Sequence, residues 1–192
     1  MQLIHKIIIV GLMLLGTTVS SQNTEPKDWI LDGNKWDSYS IGIDNSNAYS
    51  GTKSAYIKSE KIKIRGFGTL MQAAKAEQFH GKRIRLTAYV KTKDVLDWAG
   101  MWMRVDDYNI YNNSLSFDNM YERPIRGNTK WTQYEIVLDV PMNASKIVYG
   151  LLLSGTGQVW IDNVIIEEVP KDVPTTDQDG MINKPSNLDF ED

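Results

Sequence analysis

The amino-acid sequence predicts an all-β fold, either an antiparallel sandwich or a barrel. Apolar and polar residues alternate along several short runs, which is the pattern of strands that bury one face. Turn residues separate these runs, and no segment beyond the first 21 residues has the period of a long helix. We assign the strand-rich domain to residues 29–169.

The first 21 residues have the features of a secretory signal peptide. A short start containing Lys6 precedes the apolar run 7–15, and the residues around Val19 and Ser21 suit a signal peptidase. The apolar run is short for a bilayer span, which favours cleavage over the alternative of an uncleaved anchor. We therefore expect a secreted or periplasmic protein whose mature chain opens with a flexible segment, residues 22–28.

Composition narrows the class of function. The chain of 192 residues has a formal net charge of −3 and no cysteine. Disulfides and thiolate metal ligands are therefore excluded. The 21 Lys and Arg residues are spread along the chain, so we expect neither a nucleic-acid partner nor attraction to a membrane after signal cleavage.

Period-two alternation is clearest in three segments, 83–91, 98–106 and 133–140. One face of each segment is apolar, and we expect that face to pack into the core. The residues predicted to face the core are Ile84, Leu86, Ala88, Val90, Ala99, Met101, Met103, Val105, Tyr134, Ile136, Leu138 and Val140.

The remaining elements have weaker signals. Residues 147–153 form a more uniformly apolar run, which is typical of a central strand. Residues 54–59 and 67–74 are also predicted to be strands, and 73–79 can carry one helical turn.

The sequence SGTGQVWIDNVIIE, residues 154–167, contains the last predicted strand. Gly155 and Gly157 flank Thr156, which raises the question of a phosphate-binding loop. A phosphate loop needs the N-terminus of a helix, and a strand follows here instead. We therefore predict a hairpin turn that leads into the last strand.

Four sequence motifs resemble the galactose-binding-like jelly roll, which is the fold of many carbohydrate-binding modules. In chain order they are AYSGTKSAYIKS (48–59), FHGKRIRLTAYVKT (79–92), WTQYEIVLDVP (131–141) and GQVWIDNVIIEEV (157–169). The resemblance implies an antiparallel β-sandwich that binds its ligand on the concave sheet.

A closer resemblance is to a bacterial group whose members are often labelled transcriptional regulators. It is carried by GFGTLMQ (66–72), WAGMWMRVD (98–106), FDNM (117–120), RPIRG (123–127) and LLLSGTGQVWIDNV (151–164). We do not extend the label to this chain, because the chain is acidic and has no recognisable helix-turn-helix.

Residues 170–192 are predicted to be a linker or disordered tail, because they are rich in proline and acidic residues. The final residues NLDFED resemble the opening strand of another jelly roll, and a chance match in a disordered tail is the alternative.

Candidate ligand-binding residues come from the faces opposite the apolar ones. They combine aromatic rings with polar groups, which suits a sugar or another polar ligand. The set, which includes two residues of the predicted loop 116–125, is Gln72, Arg85, Tyr89, Trp102, Arg104, Asp106, Asp118 and Asn119. The alternative for the strand residues is structural: they would form a buried layer of ion pairs and aromatic rings that holds the sandwich together. The alternative for Asp118 and Asn119 is that they cap backbone turns.

These observations predict an exported, non-catalytic module that binds carbohydrate. A structural or protein-interaction domain is the second hypothesis, and a polysaccharide lyase or glycoside hydrolase is the third. Catalysis is disfavoured because His80 is the only histidine after the signal and no Gly-x-Ser-x-Gly motif is present.

The resemblance also implies a structural calcium ion near the chain ends. Asp162 matches the acid of the family's final strand, and Asp32 lies near the first predicted strand. The alternative is that Asp162 stabilises a backbone turn.

Overall fold

The computed structural model describes residues 24–107 and 114–177. Nine strands and two short 3₁₀ turns form this part of the chain. The strands are β1 Ile30–Asp32, β2 Tyr39–Asp44, β3 Ser54–Ser59, β4 Phe67–Lys75, β5 Arg83–Asp107, β6 Ser114–Asp118, β7 Ile125–Asp139, β8 Ala144–Ser154 and β9 Gln158–Val169, and the 3₁₀ turns are Trp36–Ser38 and Glu77–Phe79. The predicted all-β class is confirmed.

The long strand β5 belongs to two sheets. Its first part pairs with β7 and β9, and its second part pairs with β8 and β6. We call the first layer sheet I, with the order β2-β3-β9-β5-β7, and the second layer sheet II, with the order β1-β4-β8-β5-β6. All pairings are antiparallel, so the fold is a β-sandwich whose two layers share one strand.

The core lies between the two sheets. Every residue predicted to face the core from β5 is at most 1% exposed, and Ile136, Leu138 and Val140 are equally buried. Tyr134 is the exception, because it is half-buried and packs against the edge of the core. The alternation of apolar residues therefore identified the inward faces correctly.

The two predicted strands 83–91 and 98–106 are one continuous strand. Register shifts between Val90 and Ala99 mark the place where β5 passes from sheet I to sheet II. Asp94 in this stretch has a φ of 54°, which allows the change of direction. The sequence predicts two separate segments here, because the period-two alternation is recognisable only in 83–91 and 98–106.

The predicted hairpin turn at 154–158 is wrong, because β8 and β9 lie in different sheets. Gly155 and Gly157 have φ values of 72° and 137°, and the turn carries the chain across the sandwich. A Cβ atom on Gly157 would lie 2.8 Å from Val95 Cα, so glycine lets this turn pack against the crossing of β5. Leu96 N donates a hydrogen bond to Thr156 O at 3.1 Å.

Parts of both predicted flexible flanks are attached to the sandwich. Ile43 N donates to Thr24 O at 3.1 Å, and residues 22–23 lie outside the described residues. Thr176 N donates to Val137 O at 2.8 Å, and Arg83 Nη1 donates to Lys171 O at 2.7 Å. The described part of the predicted tail, residues 170–177, therefore follows the edge of β7, and residues 178–192 lie outside the described residues.

Tyr39 connects the turn that precedes β4 with the turn that follows β8. Its hydroxyl lies 3.0 Å from Gly66 O and 2.8 Å from Gly155 O, so that its proton is shared between two carbonyl acceptors. Burial raises the pKa of Tyr39 to about 12, with a further contribution from the charge of Asp97.

We expect Tyr39→Phe to lower the free energy of unfolding by about 1–3 kcal/mol, because buried carbonyls lose their shared donor. Because the folded pKa lies above the unfolded value near 10, the contribution of Tyr39 is complete below about pH 10 and is lost as the pH rises towards 12. Urea unfolding between pH 7 and pH 12 measures both effects.

The control is Tyr121→Phe, because the Tyr121 side chain is 66% exposed. This role would be contradicted if the two variants had equal free energies of unfolding at pH 7. It would also be contradicted if Tyr39→Phe lost stability between pH 10 and pH 12 as steeply as the wild type.

Candidate functional site

A groove of about 460 Å³ lies on the outer face of sheet II. Aromatic and aliphatic side chains from four strands form most of its surface, and the polar residues come from both rims. The lining residues are Asp32, Gly33, Asn34, Phe67, Thr69, Met71, Trp98, Trp102, Arg104, Phe117, Asn119 and Leu152. Along β4, β5 and β8, the groove residues alternate with residues that point into the main core, so the groove residues face the other side of the sheet.

Trp102 lies at the bottom of the groove and is 8% exposed. Its indole Nε1 donates to Thr69 Oγ1 at 2.7 Å, and Thr69 Oγ1 in turn donates to Leu151 O at 3.1 Å. Because β8 lies between β5 and β4, the indole extends across β8 to reach Thr69. Trp102 is therefore a fixed floor packed with Val148 and Leu152.

Trp98 is the more accessible indole of the groove. It lies at the start of the sheet II part of β5 and makes an edge-to-face contact with Tyr121 at 5.8 Å between ring centroids. Tyr121 is 66% exposed, so this pair extends the aromatic surface from the floor towards solvent.

Arg104 is positioned by Asp106. Arg104 Nε donates to Asp106 Oδ1 at 2.7 Å and Nη2 donates to Oδ2 at 3.1 Å, while Lys146 Nζ lies 3.5 Å from the same carboxylate. A guanidinium has five N–H donors. The other three have no acceptor among the described residues and remain for a ligand, whereas Asp106 is buried beside the groove.

The opposite rim of the groove carries Asp32 and Asn34. Asn34 Oδ1 accepts a hydrogen bond from Phe67 N at 2.8 Å, which fixes its amide and leaves Nδ2 without a partner in the described part of the chain. Asp32 Oδ1 accepts a hydrogen bond from Gly33 N at 2.7 Å. The groove therefore presents donors and acceptors on both sides of an apolar floor.

Asp118 and Asn119 hold the loop that follows β6. Asp118 is fully buried, accepts from Met120 N at 2.7 Å and forms an ion pair with Arg123. Asn119 Oδ1 accepts from Tyr121 N at 3.0 Å. Both residues therefore cap backbone turns, as the alternative interpretation of the sequence proposed. Asn119 also lines the groove.

Three of the predicted ligand-binding residues lie elsewhere. Arg85 and Tyr89 are on the outer face of sheet I, on the opposite side of the sandwich from Trp102 and Arg104. Arg85 is paired with Glu167 at 2.8 Å, and Tyr89 stacks on Tyr49 with ring centroids 3.4 Å apart. The prediction that these residues share one surface with Trp102 is wrong, because β5 changes sheets between them.

Gln72 faces inward instead of towards the groove. It accepts a hydrogen bond from the Tyr149 hydroxyl, and its Nε2 donates to Asp28 O at 3.0 Å. Its neighbours Met71 and Thr69 occupy the groove face of β4, so the prediction for this strand was wrong by one residue.

Asp162 and Asp32, the predicted metal ligands, line different cavities. Asp162 Oδ2 accepts from Tyr49 N at 2.8 Å and Ser50 N at 3.0 Å, and Oδ1 accepts from Asn163 N at 2.7 Å. Across residues 24–107 and 114–177, no three His, Cys, Asp or Glu side chains gather as metal ligands. Asp162 thus stabilises the loop between β2 and β3, so its contacts match the backbone-turn alternative, and the calcium hypothesis is left to the chelator test below.

Sequence reasoning left out several groove residues, namely Trp98, Phe67, Thr69, Met71, Phe117, Leu152 and Asn34. Trp98 was detectable, because it shares the alternation of Trp102 and Arg104 in residues 98–106. Asn34 had no such signal, because its place in the groove depends on the pairing of β1 with β4.

The groove offers few groups for acid–base catalysis. Asp32 is the only carboxylate among its lining residues. His80, the only histidine in the described ranges, donates from Nε2 to Ala144 O at 2.8 Å and does not line the groove.

No helix in the described residues is long and apolar enough to cross a membrane.

We expect Trp102→Ala to lower the free energy of unfolding by about 3–5 kcal/mol, because a buried indole and its hydrogen bond are lost. Trp98→Ala is expected to cost less than half as much, since Trp98 is more exposed. Urea unfolding of both variants measures the difference, and equal costs would contradict the assignment of Trp102 as the floor.

We expect the melting temperature to be unchanged by a chelator, because backbone N–H groups already occupy the Asp162 carboxylate. Thermal melts with EDTA and with added calcium measure this. A fall of several degrees in EDTA that calcium reverses, and that is absent in Asp162→Asn, would instead establish a calcium site at Asp162.

Comparison with known proteins identifies a relative by sequence. No family model matches the chain. A protein of Bacillus subtilis (strain 168), named an uncharacterized HTH-type transcriptional regulator, YbfP, is 45% identical over 169 residues, which cover 86% of this chain and 57% of the relative. The chain thus spans little more than half the length of this curated relative, whose name agrees with the bacterial group recognised in the sequence.

Solved structures agree on the fold. The CBM22-1 xylan-binding domain of Paenibacillus barcinonensis Xyn10C aligns with a TM-score of 0.55 and 14% identity, covering 77% of this chain and 89% of that domain. The enzymatically active domain of tailspike protein 4 from bacteriophage CBA120 aligns with a TM-score of 0.58 and 17% identity, covering 74% of this chain and 20% of that one. The chain has the galactose-binding-like jelly-roll fold of carbohydrate-binding modules.

Proposed function

We propose that the protein is an exported, non-catalytic module that binds carbohydrate in the groove of sheet II. The observation that carries the proposal is the combination of an aromatic floor with unpaired polar donors on opposite rims. Trp98 and Trp102 offer flat apolar surface, and Arg104 and Asn34 offer N–H groups that lack partners in the described part of the chain.

A sugar ring matches this arrangement in its chemistry. Its faces carry C–H groups that pack on aromatic rings, and its edges carry hydroxyls that accept and donate hydrogen bonds. The fixed geometry of the floor and of one rim also lowers the entropic cost of binding. Trp102 on the floor is already held by Thr69, and Asn34 on the rim is held by the backbone N–H of Phe67.

Several features support a binding role without catalysis. The groove has a single carboxylate, whereas glycoside hydrolysis commonly uses a pair. The xylan-binding domain that shares the fold is a binding module, although the tailspike domain, of which one fifth aligns with this chain, is enzymatically active. Export is supported by the signal-like first 21 residues.

A protein-interaction role is the second candidate. It is favoured by the apolar cluster that surrounds Trp102 on an outer sheet face and by the length of the Bacillus relative, in which the matching region is part of a longer protein. In that case the groove would receive a side chain of another domain instead of a sugar.

Glycan-array screening followed by calorimetry tests the proposal. We expect a glycan ligand whose affinity falls at least about tenfold in Trp98→Ala, which corresponds to about 1.4 kcal/mol of lost contact. Arg104→Gln is expected to weaken binding through the lost donors, and because it also removes the ion pair of the buried Asp106, a thermal melt records the accompanying loss of stability.

The matched controls are Arg85→Gln and Tyr89→Phe on the opposite face, which should bind like the wild type. Binding that is lost equally in the control variants, or the absence of any glycan ligand, would overturn the proposal. Product release from a polysaccharide would contradict the non-catalytic role.

A further inference from the structure

A second cavity of about 600 Å³ opens into the space between the two sheets, away from the groove. Sheet I contributes β2, β3 and β9 to its walls, and sheet II contributes β4 and β8. The segment before β1 and the 3₁₀ turn Glu77–Phe79 complete it. Its lining residues are all different from those of the groove.

The pairing of β3 explains why this cavity exists. β3 pairs with β9 only as far as Ile161, so the second half of β9 has no neighbouring strand on that side among the described residues. Asn163 has a φ of 52° at this point, and the register of β9 against β5 shifts there. The core is therefore left open beside Val164 and Ile166.

Apolar, partly exposed side chains form much of the cavity wall. Trp29, Ala55, Ala74, Phe79, Val164 and Ile166 line it, and each of them packs against the main core without being fully buried. The polar pair at its inner wall, Gln72 and Tyr149, is already hydrogen-bonded internally. The interior therefore favours an apolar group over a sugar.

The exposed side of the cavity carries unpaired positive charge. Lys27 and Lys53 both line it, and neither has an ion-pair or hydrogen-bond partner for its amine in the described part of the chain. Asp162, the only acid among the lining residues, has its carboxylate occupied by three backbone N–H groups. The two lysine amines are therefore the charged groups left for an anionic ligand at this opening.

We infer that this cavity binds an amphiphilic monocarboxylate, with its apolar body between the sheets and its carboxylate at Lys27 and Lys53. A medium-chain fatty acid has this chemistry. The site is independent of the groove of sheet II, so its occupancy does not depend on the carbohydrate-binding proposal.

Titration with octanoate, octanol, octylammonium and acetate tests the inference. Calorimetry gives the affinities, and NMR shifts of the methyl groups of Ala55, Ala74 and Ile161 give the location. We expect octanoate to bind at this cavity at least about tenfold more tightly than octanol, and octylammonium and acetate to show no binding.

Two sets of variants separate the parts of the site. Lys27→Gln combined with Lys53→Gln should weaken octanoate at least about tenfold and leave octanol unchanged, and Ala74→Phe should weaken both by filling the cavity. Lys130→Gln, a change of an exposed lysine on β7, is the matched charge control and should bind octanoate like the wild type.

Trp98→Ala in the groove is also expected to leave octanoate binding unchanged. The inference is overturned if octanoate does not bind, if its shifts map to the groove, or if the double lysine variant binds it as tightly as the wild type. Because both lysines are exposed, that variant is expected to keep the wild-type melting temperature, which a thermal melt confirms.

Discussion

The passage of β5 from one sheet to the other determines most of the architecture. A strand of 25 residues is far longer than the usual strand, and it cannot stay in one twisted sheet. The bend between Val90 and Ala99 changes which residues point inward, from even-numbered to odd-numbered positions. Both sheets, both outer faces and the turn at Gly155 are arranged around this bend.

The inward faces of the strands were predictable from the sequence, and the assembly of the strands was not. Burial of Ile84 or Met101 depends on a local alternation that a few residues reveal. Whether Arg85 and Arg104 share a surface depends on the sheet to which each part of β5 belongs. The sheet to which each part of β5 belongs is determined by its pairing with β7, β8 and β9, and these strands lie many residues away in the chain.

Three of the acidic residues that the sequence singled out have structural roles in this protein. Asp106 orients Arg104, Asp118 supports a loop together with Arg123, and Asp162 binds the backbone of the β2–β3 loop. A sequence shows that a carboxylate is present but does not show which N–H groups reach it. The polar groups left for a ligand are therefore recognised only after the internal hydrogen bonds have been assigned.

The groove and the cavity lie on opposite faces of sheet II, and β4 and β8 contribute side chains to both. Thr69 and Met71 face the groove, whereas Gln72 and Ala74 face the cavity between the sheets. Because β4 is a single layer of backbone, a substitution at one of these positions alters one site directly and reaches the other only through the backbone. In β4, odd-numbered residues such as Thr69 and Met71 therefore affect the groove, and even-numbered residues such as Gln72 and Ala74 affect the cavity. A single substitution in β4 that weakens binding at both sites is expected to act by distorting the backbone of the sheet.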